Sequence, residues 1–298
     1  MSSTVARGLI RADTLRPSSP VQRGQRALLL TVTVLTVAAW LLTLAHTQTL
    51  TVLPGAAPEN SPHHLAHPGL ADVAHLAATG MGGAGWSLAG VAAFVVAWAV
   101  MMAAMMFPGL APMLLTVHAI AVRRRGPQGT ILPTAVFVAG YLLVWTAVGA
   151  LTWVMVHVLG LVASRFDLAT RTNWAPLVLG GTMIVAGLYQ FTAAKQVCLD
   201  HCRSPFIVVM QRWREGHAGA LRMGFGHGLY CLGCCWALFT VLVAAGIMSL
   251  AWMLALTAVD VAEKTLPSAW RAPRVVGTVF VLLGIAVVTG MIRPPAGV

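Results

Sequence analysis

From Leu88 to Val122 the chain carries no Asp, Glu, Lys or Arg. In water a helix of that kind would have no polar face to present to solvent. In hydrocarbon it is what a spanning segment requires, since roughly 20 consecutive apolar residues cross the bilayer core. Further apolar runs occur at 27–45, within 131–159, at 175–194, across 225–262 and at about 275–291. Composition agrees: 58% of residues are hydrophobic and 9% are charged, against about 25% charged in a soluble domain. A water-soluble globular enzyme and a disordered chain are both excluded.

These runs predict an all-α, polytopic membrane bundle of about seven transmembrane helices, with 225–262 divided into two spans near Gly246 and Ser249. Basic residues orient it. With the N-terminus in the cytoplasm, Arg7, Arg11, Arg16, Arg23 and Arg26 fall inside. Arg123, Arg124 and Arg125 fall inside too, as do Lys195, Arg203, Arg212, Arg214, Arg222, Lys264, Arg271 and Arg274. Only Arg165, Arg171 and Arg293 fall outside. The +11 net charge is therefore read as a topological label that follows the bilayer, not as a nucleic-acid surface, and the C-terminus is expected outside. The long Arg-bearing leader and the absence of a small-x-small cleavage site make 27–45 a signal anchor rather than a cleaved signal peptide.

The informative side chains are sulfur and imidazole. The second span contains Met101, Met102, Met105 and Met106, followed by Phe107 and Pro108. At about 100° per residue Met101 stacks on Met105 and Met102 on Met106. Thioethers are neutral and soft, so they enter a low dielectric cheaply and favour Cu(I). Core packing explains methionines equally well. Pro108 and Pro112 are expected to kink or break this span, and broken membrane helices often line binding sites.

The fifth span opens with His227, Cys231, Cys234 and Cys235, then Trp236. On a helix the first three share an arc of roughly 60°, with Cys235 at its edge. One imidazole and two or three thiols on one face form a ligand set for a soft metal. The alternative is a group of small buried thiols. The preceding segment adds Cys198, His201 and Cys202, a weaker pattern that an ordinary loop would also fit. All five cysteines fall on the side where thiols stay reduced, which favours ligands over disulfides. By depth, the methionine and cysteine clusters are able to face one intramembrane site.

Three further regions carry a signal. His46, His63, His64, His67, His75 and Met81 lie in the proline-bearing external segment 46–86; they suit capture of an arriving metal but also an irregular loop. Segment 204–215 reads as an interfacial helix. Asp260 and Glu263, beside Lys264, read as an interfacial ion pair more than as a functional group. The chain thus divides into a basic cytoplasmic tail (1–26), a first span (27–45) and an external His/Pro loop (46–86). A membrane metal-binding domain (87–292) with a cytoplasmic Cys/Arg loop (195–224) follows, then an external tail (293–298).

Met101-Met102-Ala-Ala-Met105-Met106-Phe-Pro108, Cys198-x-x-His201-Cys202-Arg203-Ser204-Pro205, His227-Gly-x-x-Cys231-x-Gly-Cys234-Cys235-Trp236 and the Glu263-Lys264 pair together resemble a bacterial family of predicted metal-binding integral membrane proteins. The resemblance runs from about 90 to 265. It implies metal binding and a copper-chaperone role in the cytoplasmic (inner) membrane. The reading that follows is a non-enzymatic copper-handling protein. Cu(I) is bound by the Met, Cys and His residues above and passed to a copper-requiring enzyme or metallochaperone. Zinc is the alternative ion. A metal-clamped structural subunit of a larger membrane complex ranks second. A thiol oxidoreductase using Cys231 and Cys234 ranks third, because it gives the methionines no role.

Overall fold

The computed structural model describes residues 20–52, 88–126, 131–246, 249–266 and 271–292. Among them are nine helices: α1 (Pro20–Val52), α2 (Leu88–Arg125), α3 (Ile131–Ala163), α4 (Leu168–Tyr189), α5 (Ala193–Arg203), α6 (Pro205–Arg212), α7 (Gly216–Ala245), α8 (Leu250–Thr265) and α9 (Ala272–Val288). The protein is an all-α membrane bundle. Four stretches are long and apolar enough to cross a bilayer: Gln22–Ala45, Gly90–Arg124, Leu132–Val162 and Gly216–Ala245. A fifth arises if Trp174–Tyr189 and Ala193–Arg203, bent by 68° at the break between them, count as one span.

Three of the seven expected spans differ from their sequence outline. The apolar run 175–194 does not continue as one straight helix. It ends at Tyr189, and the chain turns into α5, where the Thr192 hydroxyl caps the helix by accepting from the Lys195 N–H. Helix α8 has 16 residues and helix α9 has 17, each shorter than a straight crossing requires. The division between α7 and α8 falls where the sequence suggested. Gly246 stops α7 with φ of 119°, a backbone conformation that side chains with a Cβ rarely adopt.

Pro108 and Pro112 do not break the second span: α2 runs through both as one 38-residue helix. Each proline still removes an N–H from the ladder. Met105, Met106, Phe107, Leu110, Met113 and Leu114 around them are buried in the core, while Pro112 itself is exposed. Segment 195–224 is mostly helical, being built from α5, α6 and the start of α7. Helix α6 exposes Phe206, Ile207 and Met210 while burying Val209. His46 falls on α1; His63, His64, His67, His75 and Met81 lie outside the described residues.

The distribution of polarity is inverted relative to a soluble protein. Leu30, Leu41, Leu143 and Leu161 are exposed, whereas Lys195, Asp260 and Glu263 are buried. Exposed leucines suit lipid, and buried charges face the bundle interior, as intramembrane ions do. Helix α7 is the hub, packing on α3, α4, α5 and α8. Its contact with α3 is a close backbone approach, and a Cβ added at Gly224 would overlap the Phe137 carbonyl. Helices α4 and α9 approach in the same way, since a Cβ on Gly187 would sit 2.7 Å from the Gly277 carbonyl oxygen. Small residues permit such approaches, and in membranes van der Waals packing drives association.

Gly224→Ala is expected to force α3 and α7 apart, at a cost of about 1–3 kcal/mol typical of overpacking. Gly226→Ala, where an added Cβ meets nothing within 4 Å, is the control. Thermal unfolding in detergent should show a clear drop for the first substitution and little change for the second.

Candidate metal centre

The centre is built on one face of α7. Helical geometry brings Cys231, Cys234 and Cys235 together, and their sulfur atoms all lie within 4.8 Å of one another. All three residues are buried. The Cys234 and Cys235 sulfurs are 3.2 Å apart. The Cys234 thiol also donates to the Cys231 carbonyl at 3.1 Å, a local bond that an i,i+3 spacing allows. All five cysteines are free thiols.

Other helices complete the surroundings. From α3, the Tyr141 hydroxyl lies 3.2 Å from Cys231 Sγ. From α8, Lys264 Nζ donates to Cys231 Sγ at 3.3 Å and to Asp260 Oδ2 at 2.9 Å. The Cys235 thiol donates to Asp260 Oδ1 at 2.8 Å. Behind this lies a second buried pair, in which Lys195 Nζ meets Glu263 Oε2 at 2.6 Å and also donates to the Cys234 carbonyl at 2.7 Å. Arg203 Nε donates to the Glu263 carbonyl. Helices α5, α7 and α8 are thus tied together through charge-assisted hydrogen bonds, the stronger kind.

This arrangement has a chemical consequence. A thiolate buried in a low dielectric is costly unless a positive group stands beside it. Lys264 is that group for Cys231. Three thiols at this separation, with a neighbouring ammonium, can surround one soft cation.

The methionines are all buried, Met101 and Met106 at 1% exposure and Met102 and Met105 at 0%. Met105 and Met106 line a small cavity together with Cys235, Leu238, Phe239, Leu256 and Asp260. The cysteine cluster and this end of the methionine stretch therefore meet. Met101 and Met102 do not line that cavity and pack in the core. The sequence explains the close approach of α8 at this level. Gly109, just after Pro108, faces Asp260 and Lys264, and a Cβ there would lie 2.9 Å from Asp260 Oδ2.

The segment Cys198–Cys202 splits in three. Cys202 is buried and stands beside the Cys231 and Cys234 side chains. Cys198 packs instead against Gly233, on another side of α7. His201 stacks on Tyr230 with ring centroids 3.7 Å apart. His227 does not join the three-sulfur group. It is buried one turn away, its ring centroid about 6 Å from those of Tyr141 and Phe137 and 6.3 Å from that of His201. Its Nδ1 has no hydrogen-bond partner.

Sequence reasoning gave Lys195 only a topological role, placed Lys264 beside the carboxylates without a link to the cysteines, and did not single out Tyr141. It read Asp260 and Glu263 as an interfacial ion pair. Both carboxylates are ion-paired, but to buried lysines, and Asp260 touches a thiol. The available signal was the i,i+4 spacing of Asp260 and Lys264 inside an apolar run.

A bundle with buried charges and a cysteine cluster able to hold a metal defines a class: polytopic membrane proteins that handle metal ions. Within that class, the family model described as PpoB2, copper chaperone, matches residues 95–287, well over half the chain. The chain belongs to that family of copper chaperones. It is accordingly a metal-handling protein rather than a catalyst. No curated protein and no solved structure matches.

Lys195→Met should leave Glu263 buried without its partner, a change that typically costs about 3–5 kcal/mol. Adding Glu263→Leu should recover much of the loss, because a matched apolar pair replaces the ions. Thermal unfolding of the single and double variants checks the order; a double variant no more stable than the single one would contradict it.

Proposed function

We propose that this protein binds Cu(I) at Cys231, Cys234 and Cys235, with Cys202, Met105 and Met106 as adjoining donors. It then passes the ion by ligand exchange to a copper-requiring enzyme or a metallochaperone. The observation that carries this reading is the group of three thiols within 4.8 Å of one another, in a chain of the copper-chaperone family. Soft thiolate and thioether donors suit Cu(I). The thioethers of Met105 and Met106 beside Cys235 are soft donors of a kind that structural zinc does not use; this favours copper over zinc. Lys264 offsets the negative charge that two or three thiolates place in the membrane interior. Cys202 adjoins Cys231 and Cys234, and Met105 and Met106 adjoin Cys235, so the ion has somewhere to step as one bond replaces another. His201 and His227 line the approach, while Met101, Met102 and Cys198 serve packing.

The same reading places the protein in a bacterial cytoplasmic membrane as a seven-span bundle. In it α8 and α9 complete the crossing, the N-terminus is inside and the C-terminus is outside. The Lys/Arg distribution supports that orientation. Metal delivery requires no crossing of the bilayer. Binding without copper uptake by proteoliposomes containing this protein alone is therefore the expected behaviour.

Purified protein under reducing conditions should hold copper in stoichiometric amount, and Cys231→Ser should lose it. Zinc retained at one ion per chain in both forms would overturn the copper reading. The joint Met105→Leu and Met106→Leu variant conserves volume and should fold normally. It is expected to weaken Cu(I) binding in competition with a chromophoric chelator. Unchanged affinity would remove the methionines from the site.

A further inference from the structure

A cavity of about 550 Å³ opens beside the metal centre, between α2, α5, α6 and the start of α7. Its lining combines two kinds of residue. Arg214 and Arg222 are exposed, and among the described residues neither forms an ion pair. Deeper in, His201, His227, Met113 and Met223 contribute imidazoles and thioethers, donor types that bind soft metals. His227 is buried, presents an unpartnered Nδ1, and sits one helical turn from Cys231. The lining contains no Asp or Glu.

We infer that this cavity receives Cu(I) as the complex of an anionic low-molecular-weight thiol, with Arg214 and Arg222 holding the carrier's negative charge while the ion moves past His227 to Cys231. The inference rests on the copper reading above and adds the form in which copper arrives. Two guanidinium groups and no carboxylate repel a bare cation. A Cu(I) ion held by two thiolates is net negative, and carboxylates on the carrier add to that charge; guanidinium groups match such anions well. The volume lies in the range of small-molecule pockets, about 300–1,000 Å³, which suits a tripeptide-sized carrier and not a folded domain.

The transfer balances without redox chemistry. Copper remains Cu(I) throughout. For each carrier S–Cu bond that breaks, one Cys S–Cu bond forms. The proton leaving the cysteine thiol goes to the departing carrier thiolate, which leaves as the free thiol.

The test uses the metal-free full-length chain in neutral detergent, without oxygen. Loading is followed in a stopped-flow instrument by the thiolate-to-Cu(I) absorption in the near ultraviolet. Two donors are compared, the Cu(I)–glutathione complex and Cu(I)–acetonitrile. The Arg214→Gln and Arg222→Gln double variant should load at least about tenfold more slowly from glutathione, within the range of electrostatic steering effects. Its loading from acetonitrile, a cationic donor, should be no slower than that of the wild type, and its final copper content should match. Equal rates for variant and wild type from glutathione would overturn the inference. Equal slowing from both donors would also overturn it, by assigning the arginines to the fold. Wild type that takes copper from neither donor would refute the copper reading itself, a distinguishable result.

Discussion

Lys264 holds a carboxylate and a thiol at once, 2.9 Å from Asp260 and 3.3 Å from Cys231. In a bundle interior, where water does not compensate charge, that contact constrains everything around it. An unpaired ammonium there would be costly, and so would an unpaired thiolate. Together they are tolerable, and the pairing requires α8 to sit against both α7 and α2. The second pair, Lys195 with Glu263, fixes α5 to the same place. The candidate metal centre and the core of the fold are therefore one construction.

Backbone detail serves that construction. Gly109 leaves room on α2 for Asp260 and Lys264, and the bend between α4 and α5 turns Lys195 inward instead of letting the apolar run continue. Gly224 lets α7 approach α3 closely enough for Tyr141 to reach Cys231. The result is a group of thiols with polar and positive neighbours, enclosed by helices whose outer faces are leucine and valine. A thiol of α5 and the thioethers Met105 and Met106 of α2 lie close to the three thiols of α7.

Much of this was legible in the chain. The long uncharged runs announced membrane helices, and the spacing Cys231, Cys234, Cys235 announced convergence on one helical face, because both follow from periodicity within a single element. The doubled methionines were visible for the same reason, but only Met105 and Met106 meet the cysteines. Cys198 and Cys202 looked equivalent in sequence, yet only Cys202 faces the triad, because the crossing of α5 over α7 decides which sulfur arrives. Asp260 and Lys264 were readable as an i,i+4 pair. Whether the pair faced water or thiols depended on the packing of a third helix.

The sequence by itself determined that the protein is a helical membrane bundle, because apolar runs of that length have few other stable solutions. It also determined which helix carries the cysteine face. Only the tertiary structure decided that α2 continues through its prolines, that the chain bends between α4 and α5, and that two lysines and two carboxylates surround the cysteine cluster. The physical reason is that local periodicity is set by one helix's own geometry. The partner of a buried charge is instead set by which helices touch, and that depends on close approaches distributed over the whole chain.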